Sequence, residues 1–298
     1  MVFQAILNIH LPFIFAIGAG INALLAGKRV YELVRGFSLS HIIYFLHCLL
    51  DCITCLLVFV STYEGISRST QGGCLLLTSF GLFWFVFSLR AWCNLYLAIY
   101  HYHRVLSPSL SDRKIKWHAY VASLLIAIIS SLTSTLAAVY YFEYDLNYHY
   151  CGSVFDFESE IQPDRFILIR YLYIMNIALN YLLPISAVIW FYAELLESLI
   201  EYEAPSRVIC RTREFILLDG YLLLWLCAPI HLLELIQIMH WRIEIPYGRI
   251  YTKLLTMTGA SYSILYPIIH LIMTTQFTSP FIVLFQKIFR VYTHSYNY

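Results

Sequence analysis

Two charges lie where an apolar segment should carry none. Asp51 sits in "FLHCLLDCITCLLVF" and Arg90 in "FWFVFSLRAWCNLYL". An ionised side chain at the centre of a bilayer costs about 2.5–3.5 kcal/mol on insertion scales, so such residues turn inward and find partners. A guanidinium offers a planar fork that matches a carboxylate. The residues alone leave open whether Arg90 meets Asp51, meets Asp219 or snorkels elsewhere. A second group ends a greasy stretch: "CNLYLAIYHYHRVLSPSL" carries His101, His103 and Arg104. His101 and His103 are two apart, about 200° around a helix, and cannot share one ion. Arg104 can anchor to lipid headgroups with its stem in the apolar layer. A third group is polar residues at helical spacing: Asn176 with Asn180, and His231 with Glu234. Polar groups in a bilayer face the interior of a bundle. Phe80, Phe83, Trp84 and Phe87 fall at i, i+3, i+4 and i+7, one helix face. Such a stripe either lines a small-molecule site or is core or lipid-facing packing.

These side chains need elements that cross a membrane. The chain has 298 residues, 60% of them hydrophobic and 12% charged, and a mean hydropathy of +0.69. A soluble domain averages about 25% charged residues. Seven stretches are long and apolar enough to span, on the order of 20 residues each. They lie near 5–27, 39–62, 74–103, 117–142, 167–195, 215–240 and 252–275. The gaps leave no room for a separate soluble domain. The first stretch has no basic residue before it and reads as a retained span, not a cleaved signal. The net charge of +1 gives no reason to expect a nucleic-acid partner. No Gly-rich phosphate loop, zinc-type Cys pairing, clustered His motif, Ser/His set or paired-Asp set stands out. Neither an enzyme, a metal nor a cofactor is expected.

Basic residues set the orientation. One set of gaps holds Lys28, Arg29, Arg35, Arg104, Arg113, Lys114, Lys116, Arg207, Arg211, Arg213, Lys287 and Arg290, twelve in all. The other holds six: Arg68, Arg165, Arg170, Arg242, Arg249 and Lys253. The richer side is the cytoplasmic one, which puts the N-terminus outside and the C-terminus inside. Of eight cysteines only Cys74 and Cys151 then face outward. They form either a disulfide, favoured outside the cell, or two free thiols. The longest gap, 143–166, is acidic.

At isolated positions along nearly the whole chain, the sequence resembles the rhodopsin-like (class A) G-protein-coupled receptors. "GAGINALL" places Asn22 like the family's first-span Asn, and "LLDC" places Asp51 like its second-span Asp. "AIYHYHRVLSP" overlays the Asp-Arg-Tyr motif, with Tyr100, His101 and Tyr102 at its three positions and Pro108 following. "NYLLPISAVIWFY" supplies Pro184 and Tyr192 as in the fifth span, and "WLCAP" supplies Pro229 as in the sixth. "LYPIIHLIMTTQF" resembles the seventh-span Asn-Pro-x-x-Tyr, with Tyr266 for Asn and His270 for Tyr. The departures are plain: Cys227 stands at the sixth-span Trp position, with Trp225 two residues earlier, and the fourth-span Trp is missing. Small size and many Tyr and Phe also resemble nematode chemosensory receptors, and virus-encoded receptors diverge similarly.

The resemblance implies an all-α integral membrane protein. A seven-transmembrane helix bundle spans 1–275, and 276–298 forms a short amphipathic helix and tail, with Ser279 as cap and Pro280 at its first position. It implies a plasma-membrane receptor that senses an extracellular small molecule and signals through a heterotrimeric G protein. It favours the Cys74–Cys151 bridge. It turns Phe80, Phe83, Trp84 and Phe87 toward a ligand pocket shared with Asn176, Asn180, His231 and Glu234. It makes Tyr100, His101, Tyr102, Arg104, Tyr192 and His270 a G-protein-coupling switch, degraded because Tyr100 offers no carboxylate to a resting lock. Arg104, one turn on from His101, can supply the lost cation. Arg90 overlays a position that helps hold a sodium ion beside the counterpart of Asp51, so its guanidinium replaces that ion as an intramembrane partner of Asp51. Phe83 stands where amine receptors carry Asp, and Ala260 where opsins carry their Lys, so neither ligand class fits. The rival readings are a receptor-like partner that does not signal, and a multi-pass transporter.

Overall fold

The computed structural model describes residues 11–36, 39–62, 73–74, 80–106, 117–145, 150–153, 163–201, 207–239 and 250–274. These residues form seven helices and one hairpin. The helices are α1 (Leu11–Arg35), α2 (Leu39–Thr62), α3 (Gly81–Leu106), α4 (Trp117–Tyr141), α5, α6 (Arg207–Met239) and α7 (Ile250–Thr274). Helix α5 runs as Pro163–Ile177, widens into a π-helical turn at Ala178–Leu182 and continues as Leu183–Glu201. Between α4 and α5, strands β1 (Phe142–Asp145) and β2 (Tyr150–Ser153) pair antiparallel with Tyr144 opposite Cys151. The acidic gap thus contains a hairpin, which its composition did not announce.

Among the described residues, five helical stretches are long and apolar enough to cross a membrane: Pro12–Arg35, His41–Ser61, Gly81–His103, Val121–Tyr140 and Ile167–Ser198. In α6 the described apolar stretch runs over Leu217–Leu233. Helix α7 carries Thr256, Thr258, Ser261 and Ser263 among its apolar residues. The outward faces are apolar, with Leu24 78% and Trp225 70% exposed, while Asp51, Arg90, Asn94 and Asp219 are buried. This inversion of the soluble pattern is that of an all-helical, multi-pass membrane protein.

The helix ends depart from the hydropathy limits. Helix α1 continues past residue 27 because its polar extension pairs locally: Arg29 meets Glu32 at 2.6 Å and the Arg35 guanidinium lies 4.4 Å from the centre of the Tyr31 ring. Helix α3 begins at Gly81 rather than 74. Before it stands Phe80 with φ of 57°, a conformation rarely adopted by a bulky side chain. Its carbonyl accepts the Trp84 N–H at 2.8 Å and opens the helix. Phe80 therefore precedes the helical stripe instead of belonging to it.

Packing closes the helices on themselves. Helix α3 lies against α2, α4 and the second half of α5; α4 packs on the first half of α5; α6 packs on α5 and α7; and α7 returns to α1 and α2. The α1–α7 approach is close. A Cβ on Gly18 would meet Ile264 Cγ1 at 2.7 Å, and the Asn22 amide beside it donates to Gly18 O at 3.0 Å and Ser263 O at 2.8 Å. Cys74 and Cys151 are joined as a disulfide, Cα atoms 5.5 Å apart, which ties the chain before α3 to strand β2. Cys48, Cys52, Cys55, Cys93 and Cys227 are free thiols.

Candidate functional site

His47 and Asp51 are one turn apart on α2 and share its inner face, and both are fully buried. Asp51 Oδ1 accepts a hydrogen bond from Arg90 Nε of α3, and Oδ2 lies 3.2 Å from His47 Nε2. The Arg90 guanidinium also sits over the Tyr262 ring of α7, 3.8 Å from its centre. A desolvated cation on an aromatic face gains about 2 kcal/mol. The Tyr262 hydroxyl donates to Asp219 Oδ1 on α6, and the Tyr192 hydroxyl of α5 donates to Asp219 Oδ2 at 2.9 Å. One polar array therefore joins α2, α3, α7, α6 and α5. Of the partners left open for Arg90 it holds Asp51, while Asp219 is taken by two tyrosines. Asp219 and His47 carried a signal, a lone carboxylate in "FILLDGYLLLW" and a histidine four residues before Asp51. Tyr262 carried none.

Between this array and the disulfide lies an aromatic cluster. Phe83 stacks on Phe87 with ring centres 5.3 Å apart, and Trp84 and Phe87 both approach His231 of α6, at 6.0 and 6.1 Å. Tyr181, from the π turn, stacks on His231 at 4.2 Å. The Phe80 ring meets Phe83 edge-on at 6.1 Å. The other two polar candidates are used elsewhere. The Asn180 amide N–H group points at Ser130 O, Thr133 Oγ1, Ser134 Oγ and Asn176 Oδ1, at 2.9, 3.1, 3.0 and 3.1 Å. Its oxygen accepts from Ser130 Oγ at 2.8 Å and Trp92 Nε1 at 3.3 Å, and Ser134 bonds Ser88 at 2.6 Å. Asn180 thus knots α5 to α4 and α3, and Asn176 is its neighbour in that knot. The π turn that presents Asn180 has a local cause. Pro184 has no N–H and its ring crowds the carbonyl four residues back, and the widened turn, with Leu183 N–H on Ala178 O, takes up the clash.

Asn180→Ala would strand the Trp92 N–H and several α4 hydroxyls. The expected loss is about 1–3 kcal/mol, read as a lower thermal midpoint in detergent or nanodiscs. A variant that melts like wild type would contradict the knot.

At the far end of α3, His101 Nε2 shares a 3.1 Å hydrogen bond with the Tyr44 hydroxyl of α2, and Tyr44 also approaches the His270 ring at 5.1 Å. Tyr102 meets Phe191 of α5 edge-on at 5.3 Å. Tyr100 is half-buried. Tyr192, from the same set, belongs to the central array instead, through Asp219. The side chains of Arg104 and Glu234, and the segment 276–298 with Ser279 and Pro280, lie outside the described residues. Among the described residues no cluster of three His, Cys, Asp or Glu side chains could hold a metal. No family model matches the chain, and no curated protein matches its sequence.

Proposed function

We propose that this protein is a seven-span plasma-membrane receptor of rhodopsin-like architecture, N-terminus outside, which senses an extracellular small molecule and activates a heterotrimeric G protein. The observation that carries the reading is the joint placement of the disulfide and α3. The bridge pins the start of α3 to the hairpin after α4, and α3 then packs against α2, α4 and α5 while α7 closes on α1 and α2. The motif positions of the resemblance support it. Trp84, Phe87, Tyr181 and His231 offer an aromatic, mainly apolar site on the disulfide side, the chemistry expected of a small-molecule pocket. Below it the array links α5, α6 and α7, the helices whose rearrangement would carry a signal as a ligand-shifted equilibrium.

With no carboxylate at Tyr100, the resting state is less favoured and basal signalling is expected. His101 is engaged by Tyr44, so Arg104→Ala should lower basal G-protein activation more than His101→Ala at equal surface level. A basal signal untouched by either change would leave Arg104 as a headgroup anchor. No signal in any G-protein background would favour the silent-partner reading over the receptor.

A further inference from the structure

Helix α6 carries one carboxyl group in its apolar stretch, Asp219 within Leu217–Leu233. It is 2% exposed, and its two oxygens serve two different helices. Oδ2 stands 2.9 Å from the Tyr192 hydroxyl of α5, and Oδ1 is hydrogen-bonded to the Tyr262 hydroxyl of α7. These oxygen-to-oxygen contacts join the helices whichever partner supplies the hydrogen. Both tyrosines are held in place. The Tyr192 ring lies against the next residue of α6: a Cβ on Gly220 would be 3.7 Å from Tyr192 Cδ2. The Tyr262 ring carries the Arg90 guanidinium and stacks on Tyr266, centres 5.7 Å apart. Through Arg90 the α7 contact is anchored to Asp51 of α2.

The bonds matter more in a bilayer than packing does. Leu223 and Ile230, buried along the same stretch of α6, pack without directional bonds. Lipid tails are as apolar as these side chains, so such packing only weakly decides between a docked helix and a displaced one. Hydrogen bonds decide more, because groups set free in the hydrocarbon layer find no water.

We propose that Asp219 is a latch: its paired bonds to Tyr192 and Tyr262 hold α6 between α5 and α7, and their strength sets how often α6 swings away. The latch stands in for the resting lock that Tyr100, without a carboxylate, cannot give. This signalling role rests on the receptor reading, whereas the latch itself does not. Pro229 supplies the lever. It has no N–H to offer the Trp225 carbonyl four residues back, so α6 bends most readily there. His231 of the aromatic cluster lies two residues beyond Pro229, and Asp219 ten residues before it. A molecule that displaces His231 therefore bends α6 across the latch. Any swing that parts α6 from α5 and α7 breaks both tyrosine bonds.

The test reads helix position first. Purified full-length protein in nanodiscs carries genetically encoded spin labels at Glu197 of α5 and Arg213 of α6. Tyr192→Phe and Tyr262→Phe keep the rings and remove one bond each. Each should raise the ratio of long to short label distances roughly three- to twentyfold, the worth of an interhelical hydrogen bond in a bilayer. Asp219→Leu removes both bonds and should raise the ratio at least as far; if it fails to fold, the two tyrosine variants carry the test. Tyr96→Phe is the control. Its hydroxyl bonds Ser123 O of α4 at 2.6 Å, and its loss should leave the distances unchanged. Unchanged distances in folded Tyr192→Phe and Tyr262→Phe overturn the latch, even if both melt lower than wild type. An equal change in Tyr96→Phe also overturns it. Nucleotide exchange then separates the latch from the receptor reading. Long distances with faster basal exchange support both, and long distances with no exchange on any G protein keep the latch and contradict the receptor.

Discussion

Arg90→Ala should cost about 3–5 kcal/mol of stability, the loss expected when one member of a buried ion pair is removed and the other stays buried. The carboxylate of Asp51 would keep only His47 as a partner, and the Tyr262 face would lose its cation. Asp51→Asn should cost a similar amount, because it leaves the guanidinium without its counter-charge. Arg90→Met together with Asp51→Leu should recover much of the loss, since a well-packed apolar pair avoids desolvating two charges. Thermal midpoints of the four proteins form a double-mutant cycle. Strictly additive losses would rule out the pair as an energetic unit. The same geometry predicts that replacing sodium by potassium at fixed ionic strength leaves the midpoint unchanged, because the guanidinium already neutralises the carboxylate that an ion would serve.

Cys74→Ser and Cys151→Ser should each cost on the order of 4 kcal/mol. The bridge closes a loop with a sequence separation of 77, and loop closure of that length removes about this much freedom from the unfolded chain. Each single variant should reach the cell surface poorly, and the double variant should be little worse than either, because both changes break the same bond. The loss should also be felt at the aromatic cluster, since Phe80 and Phe83 follow Cys74 by a few residues. Two alkylatable thiols in the native folded protein, or additive losses, would contradict the bridge.

Much of this arrangement is legible in the sequence for a simple reason. In a bilayer a lone charge must have a partner, so Asp51 and Arg90 each announced the need for one, the resemblance chose Asp51 over Asp219 for Arg90, and apolar length gave the helices to within several residues. The limits of the helices were less legible because hydropathy marks where apolar residues stop, not where backbone hydrogen bonding stops. Arg29 and Glu32 keep α1 helical after its apolar stretch has ended. Phe80 was assigned to the α3 face by spacing, but spacing says nothing about a positive φ one residue before a helix begins. Asn180 was read with His231 because both are polar residues in apolar helices. Polarity gives the need for a partner but not the direction, and the serines of α4 were its partners. Asp219 was legible as a lone carboxylate and as one of the partners left open for Arg90, but its own partners were not: a hydropathy profile does not single out tyrosines, yet two of them supply its hydrogen bonds.

The receptor reading is tested most directly by nucleotide exchange. Purified protein in lipid nanodiscs, mixed with purified heterotrimeric G proteins of each main class, should accelerate exchange on at least one of them without added ligand. Arg104→Ala should reduce that rate. Exchange at the rate of empty nanodiscs for every heterotrimer, with protein shown to be folded and to carry its Cys74–Cys151 bridge, would contradict it.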